Sequence, residues 1–190
     1  MKLASHNSWS YLNPKKWWMK LIGFTAKCQD ADIQEQYSLG VNYFDLRINF
    51  DDCLPQPVHG AVEYDNKSRN LQKSLAWLNN KGNIYVRVIL DIRNRQKEKE
   101  LQETLFKGFC KNLELDYPNI TFCCGENIST KEVLYNFLPC PSCEEKYASV
   151  CKPRIIDDWY PRWFAYRNNR KLIEEGTDKE FLMLDFVNYQ

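Results

Sequence analysis

The chain has 190 residues, 44% of them hydrophobic, and its 26 lysines and arginines against 25 aspartates and glutamates leave a formal net charge of +1. That length fits one domain over residues 1–190, and the balance describes a globular protein rather than a disordered or fibrous one. No stretch concentrates basic residues into a footprint for nucleic acid, which excludes it as the main partner, and no run approaches the length of a membrane span. The first residues lack a signal-peptide pattern, because His6 stands where a leader's charged region would be. The expected location is therefore cytoplasmic, either by retention or, for a phage-encoded protein, until lysis.

The first apolar run, residues 1–5, reads as a strand and leads into Ser-His-Asn-Ser-Trp-Ser at 5–10, which holds His6. Residues 14–24, Pro-Lys-Lys-Trp-Trp-Met-Lys-Leu-Ile-Gly-Phe, set lysines beside tryptophans at the start of an apolar stretch. This is the composition of an interfacial helix, so Trp17 and Trp18 either make a peripheral membrane contact or pack on the domain. Residues 32–39 show helical spacing and lead into a strand over 41–48 that contains Phe-Asp-Leu-Arg, with Asp45 and Arg47 on one face. Two aspartates and two prolines make 49–57 an irregular turn before Val-His-Gly at 58–60, where His59 is the second of only two histidines.

A helix is expected over 68–79 and a strand over 84–92, whose run 85–90 is apolar enough for burial on both faces. Arg93 follows it, the charged run 94–100 opens a helix over 98–113, and a strand covers 119–123. Helix candidates at 131–138 and 159–173 precede a last strand at 181–187 that carries Asp185. Alternating strands and helices predict an α/β fold with a parallel sheet or barrel covered by helices. The aromatic-rich stretch 157–169 suits either a cleft wall or helix packing.

Eight cysteines in a reducing compartment stay thiols unless they bind metal. Cys140 and Cys143 have the spacing of half a zinc site, and Cys123, Cys124 and Cys151 could supply the rest; buried or surface thiols are the alternative.

In barrels of parallel strands the reacting groups project from the carboxyl ends of strands. His6, Asp45, Arg47, His59, Arg93 and Asp185 all fall at or just after such ends. Two imidazoles and an arginine suffice to cleave a phosphodiester without metal, one imidazole taking a proton, the other giving one, and the cation holding phosphate oxygens. The other reading of Arg47 is a barrel-interior salt bridge with Asp45.

Taken in order, His-Asn-Ser at 6–8, Gly-Val-Asn-Tyr-Phe-Asp-Leu-Arg at 40–47, His-Gly at 59–60, Val-Ile-Leu-Asp-Ile-Arg-Asn at 88–94 and Leu-Asp-Phe-Val-Asn at 184–188 resemble the X domain of phosphatidylinositol-specific phospholipase C. The resemblance covers the chain to about residue 95 and again its last ten residues. It implies a distorted, incompletely closed TIM-type barrel. The implied reaction is attack by an inositol 2-hydroxyl on the adjacent phosphorus, giving a cyclic phosphate and releasing diacylglycerol. It makes His6 the general base, oriented by Asp185, and His59 the general acid.

Bacterial members carry an aspartate after the first histidine to serve the second one, and here that position is Asn7. Either Asp45 supplies the missing carboxylate or His59 is a weaker acid. Animal members hold calcium with acidic residues where this chain has Arg47 and Arg93, whereas bacterial members use an arginine at the first position and no metal. The resemblance thus implies metal-independent cleavage without a cofactor, Arg47 stabilising charge on the phosphate and Arg93 contacting substrate. Two rival readings are an inactive phosphodiester- or lipid-binding module and a magnesium-dependent glycerophosphodiesterase or sphingomyelinase D relative. The last needs acidic metal ligands where Arg47 stands.

Overall fold

The computed structural model describes residues 2–124, 132–151 and 154–190. In chain order its elements are β1 (Lys2–Ser5), α1 (Met19–Ala26), α2 (Ile33–Ser38), β2 (Val41–Asp51), β3 (Leu54–His59), β4 (Val62–Glu63), α3 (Asn70–Leu78) and β5 (Ile84–Asp91). They continue with a short 3-10 turn, α4 (Lys99–Asp116), β6 (Ile120–Cys124), β7 (Glu132–Leu134), β8 (Leu138–Pro139), β9 (Cys143–Glu145), α5 (Ile155–Trp159), α6 (Pro161–Glu175) and β10 (Phe181–Leu184).

The strands form one sheet in the order β8-β6-β5-β2-β1-β10-β9, every neighbouring pair parallel. The sheet curls into a half-barrel of the TIM type, and among the described residues its end strands β8 and β9 do not pair with each other. The incompletely closed barrel expected from the sequence is the fold observed.

Period-2 alternation assigns the side chains to two layers. Leu3, Phe44, Leu46, Ile48, Val86, Val88, Leu90, Leu182 and Leu184 join the large core formed with Ile33, Leu71, Leu75, Phe106 and Leu113 of the helices. Ala4, Tyr43, Cys123, Phe181 and Met183 form a small cluster with Tyr147 and no helical residue, which places it inside the barrel. By the same parity Asp45, Arg47 and Arg87 belong to the interior. The apolar outer layer holds the sheet against its helices, and the polar residues face the barrel interior.

Three expectations change. Residues 49–57 are not an irregular turn but the hairpin between β2 and β3, turned by Asp52 and Cys53, both at positive φ. Its prolines are tolerated because the carbonyls of Pro57 and Pro55 face Tyr64 N and Asn66 Nδ2. Their missing N–H groups therefore point away from the β2 ladder. The helix expected over 131–138 is instead extended chain from residue 132, with β7 antiparallel to β5; residue 131 lies outside the described residues. Between β7 and β8 the chain bends, Phe137 N donating to the Tyr135 carbonyl at 2.8 Å, and the rings of Tyr135 and Phe137 meet Phe106 and Phe122. The strand expected to reach residue 187 stops at Leu184, where the chain turns through Phe186 at φ 45°.

The predicted helix at 159–173 is two helices, α5 and α6, separated at Tyr160 because Pro161 begins the second. Trp17 is 75% exposed and Trp18 41%, so Trp17 stands largely clear of the body of the protein while Trp18 is partly covered. Among the described residues no helix is long and apolar enough to cross a membrane.

The carboxyl ends of β1 and β10 are joined by one buried side chain. Gln29 Nε2 donates to the carbonyls of His6 and Leu184, each at 3.1 Å, and its Oε1 accepts from Val187 N at 3.1 Å. Gln29→Leu strands these groups without water, so urea denaturation should show stability lower by about 2–3 kcal/mol with an unchanged slope.

Candidate active site

His6 follows β1, its backbone N–H bonded to the carbonyl of Leu184 at 3.0 Å. Asn7 takes the left-handed conformation (φ 42°), which asparagine tolerates better than most residues, and turns the chain behind the strand end. Asn7 N donates to Asp45 Oδ2 (3.1 Å), Ser8 N donates to the Asp45 carbonyl (2.9 Å), and Asp45 N donates to Ser8 Oγ (2.9 Å). The loop carrying His6 is thereby fastened to β2.

His6 Nδ1 lies 2.8 Å from Asp185 Oδ1, a pair that buries both side chains. A carboxylate only accepts, so Nδ1 carries a hydrogen and Nε2 is the nitrogen left for chemistry. Asp185 is itself held by the turn after β10, where Asn169 Nδ2 donates to the carbonyls of Asp185 (2.8 Å) and Phe186 (3.0 Å). The Tyr147 ring lies flat on the His6 imidazole, with centroids 3.8 Å apart and planes within 1°.

His59 ends β3. Its ring meets that of His6 edge-on at a centroid distance of 5.2 Å. Its Nδ1 lies 2.8 Å from the carbonyl of Ala26, again an obligate acceptor, so Nε2 is the nitrogen that titrates. Its enclosed position, with His6 and Arg47 nearby, pushes its pKa well below the ordinary imidazole value.

Asp45 does not serve His59. The sequence left it as a possible partner, but both of its oxygens are taken: Arg47 Nε donates to Oδ2 at 3.0 Å and Arg87 Nε to Oδ1 at 2.8 Å, with His6 Nε2 3.9 Å from Oδ2. Burial alone would raise the Asp45 pKa, yet Arg87 and Arg47 hold it well below the usual carboxylate range. The salt-bridge reading of Arg47 is therefore correct as geometry, and Arg47 also lines the cleft.

Arg87 continues to Glu145, whose Oε2 accepts from Tyr147 Oη at 2.8 Å. The contacts close a ring through His6, Asp45, Arg87, Glu145 and Tyr147. Arg87, Glu145 and Tyr147 were missed as site residues in the sequence. The only signals were an arginine within an apolar strand and acidic and aromatic residues two apart at 145 and 147.

The open space between these groups is a cleft of about 340 Å³, lined by His6, Cys28, Arg47, His59, Arg93, Tyr147 and Asp185 among others. Arg93 is steadied by Asp91, whose Oδ2 lies 3.2 Å from its Nε, and passes beside Gly60, where an added Cβ would stand 3.6 Å from its NH1. Asn7 and Asp45 support the site from behind and do not line it.

The cysteines are free thiols. Cys123 and Cys140 are neighbours beside Tyr43, but among the described residues the metal-spaced group is His6, Cys28 and His59 and none drawn from Cys123, Cys124, Cys140, Cys143 and Cys151.

No protein-family model matches the sequence, and no curated protein matches it. Among solved structures, the chain is similar to the phosphatidylinositol-specific phospholipase C from Listeria monocytogenes. The TM-score is 0.59 at 15% identity, over 98% of this chain and 88% of that one. The likeness is one of fold. It gives this chain an incompletely closed TIM-type barrel, and the chemistry of the cleft must carry any statement about activity.

Asp45→Asn removes the buried anion that Arg47 and Arg87 share, leaving Glu145 on Arg87, and should cost about 3–5 kcal/mol in urea denaturation. Because the Asp45 pKa is depressed on folding, its contribution is complete above about pH 4 and is lost as pH falls through the folded value. The stability gap between wild type and Asp45→Asn should therefore narrow on acidification.

Proposed function

We propose that this protein is a metal-independent phosphodiesterase that works by acid–base catalysis between His6 and His59, on a substrate of the phosphatidylinositol type. The observation that carries this reading is the two imidazoles at 5.2 Å in one cleft with two guanidinium groups.

His6 Nε2 takes the proton of a hydroxyl next to the phosphate, and that oxygen attacks phosphorus. The bond to the leaving oxygen breaks, and His59 Nε2 supplies the proton that oxygen needs. The product is a cyclic phosphodiester, which water opens with the two roles reversed. Arg47 and Arg93 bind the non-bridging oxygens, and fixed cations aimed at developing negative charge are worth about 3–4 kcal/mol each when removed. Asp185 stabilises the imidazolium that forms on His6. His59 has a carbonyl instead of a carboxylate, so the bound phosphate anion is what raises its pKa and charges it. A hard divalent cation is disfavoured here, since it requires several oxygen ligands and Asp45 is engaged with Arg47 and Arg87.

The lipid reading is supported by the rim. Trp17 and Trp18, just before α1, and Leu21, Ile22 and Phe24 on it are exposed, and Phe24 stacks on Tyr160 beside exposed Ile155, Ile156, Trp159 and Trp163 at the α5–α6 corner. Thr25 and Pro161, from the same two regions, line the cleft, so this apolar face borders its mouth. Lys16 and Lys20 are exposed within it, which suits an anionic bilayer.

Incubation with phosphatidylinositol or a soluble inositol phosphodiester in chelator should give a cyclic phosphate by phosphorus NMR. Arg47→Ala should reduce turnover by about a hundredfold or more. No product from any phosphodiester, or a strict need for added calcium or magnesium, would refute the scheme.

Since burial lowers the His59 pKa, kcat/KM should fall as pH rises past a value below the ordinary 6.5 or so of imidazole. The matching limb of kcat should lie at higher pH, because bound phosphate restores the charge; coincident limbs would contradict that role for His59.

Sedimentation with vesicles should show binding to anionic lipid that weakens about tenfold or more in the Trp17→Ala, Trp18→Ala double variant. Equal binding by that variant would remove α1 as the contact.

A further inference from the structure

We propose that His6, Cys28 and His59 together form a site for a soft divalent metal ion, zinc in chemical class, and that the metal switches the phosphodiester site off. The switching half rests on the acid–base reading above; the binding half does not.

Three side chains supply the geometry. One ligand atom from each of His6, Cys28 and His59 lies within 4.8 Å of the other two. Zinc held by two imidazole nitrogens at about 2.0–2.1 Å and a thiolate at about 2.3 Å puts its ligands roughly 3.3–3.8 Å apart in a tetrahedron. Closing the difference takes shifts of about 1 Å shared among three side chains, with no backbone rearrangement implied.

Cys28 has no part in the acid–base scheme, yet it is 1% exposed and forms part of the cleft wall. Its backbone is fixed, its N–H donating to Ser10 Oγ at 2.9 Å and its carbonyl accepting from Phe186 N at 2.6 Å. The sulfur lies 3.5 Å from His59 Nδ1. Each imidazole also has the outer support usual for metal-binding histidines: Asp185 on His6 and the Ala26 carbonyl on His59.

The donor set selects the ion. Two nitrogens and a sulfur favour zinc or its neighbours and offer nothing to calcium or magnesium. Binding displaces the thiol proton to solvent, so a +2 ion adds a net charge of +1 beside Arg47, whose own charge is balanced by Asp45. A fourth coordination position faces the cleft, which suits water or halide. With the metal in place the His6 lone pair is occupied and His59 can no longer carry a proton to a leaving group. Both catalytic roles stop together.

The test is direct titration of the reduced full-length chain with cobalt(II), followed by displacement with zinc. One equivalent should give thiolate-to-cobalt charge-transfer absorption with intense tetrahedral d–d bands, and zinc should abolish both. Cys28→Ser should lose the charge-transfer band. His59→Ala should weaken binding by about a hundredfold or more, since loss of a ligand exceeds the 10–100-fold typical of an outer partner. With seven other cysteines in the chain, a band that survives in Cys28→Ser places the metal elsewhere and overturns the site. Should Cys28→Ser not fold, persistence of the band in the His6→Ala, His59→Ala double variant decides the same point.

On a soluble phosphodiester, zinc should inhibit the wild type reversibly by chelator and should inhibit Cys28→Ser far less, each relative to its own rate in chelator. Zinc-stimulated turnover would overturn the switch. Absence of any turnover would count against the proposed function and leave the cobalt spectrum to decide the site.

Discussion

The Asp45 carboxylate, buried inside the half-barrel, is the constraint on which the site depends. It accepts from Arg47, Arg87 and the Asn7 backbone, and so ties together the middle of β2, the adjoining β5 and the loop that presents His6. Two guanidinium groups in a protein interior are costly unless an anion meets them with good geometry. Asp45 is shared by both and Glu145 adds a second negative charge on Arg87, which lets Arg47 remain a fixed cation in the cleft wall. Through Tyr147, stacked on His6, the same chain of contacts returns to the imidazole from the opposite side.

That arrangement explains why two histidines in one cleft can take different parts. His6 is gripped on one edge by Asp185 and on its face by Tyr147, so its reactive nitrogen is defined by its surroundings. His59 meets a neutral carbonyl in an enclosed, positively charged setting and is held uncharged until an anion arrives. In the proposed mechanism the substrate supplies the charge that a second carboxylate would otherwise provide. The same neutral imidazole, beside the Cys28 thiol, is also a good ligand for a soft metal.

The apolar rim and the polar cleft meet at Thr25 and Pro161, which belong to α1 and α6 yet line the cleft. Exposed tryptophans and aliphatic side chains in the same two regions form an apolar face, and in the proposed reading a bilayer covers it while setting the cleft against headgroups. The two halves of the proposed function are linked by that shared border.

Much of this was legible in the sequence. Alternating apolar runs defined the parallel strands, and His6, Arg47, His59, Arg93 and Asp185 stood out because ionisable residues at strand ends converge when the strands are parallel. All five line the cleft. The sequence read less well where partners on other elements decided the outcome. Residues 49–57 became a hairpin because both prolines face away from β2, and residues 132–139 became strands because β5 and β6 offered open edges. Arg87, Glu145, Tyr147 and Cys28 carry little local signal, since what they do depends on groups distant in the chain, as Arg87 and Glu145 are at 58 residues apart. Local pattern determines which residues form strands and what chemistry stands at their ends. Only the closing of the barrel decides which charge neutralises which, because that choice is made by distances between strands and by the high cost of leaving a buried charge unmatched.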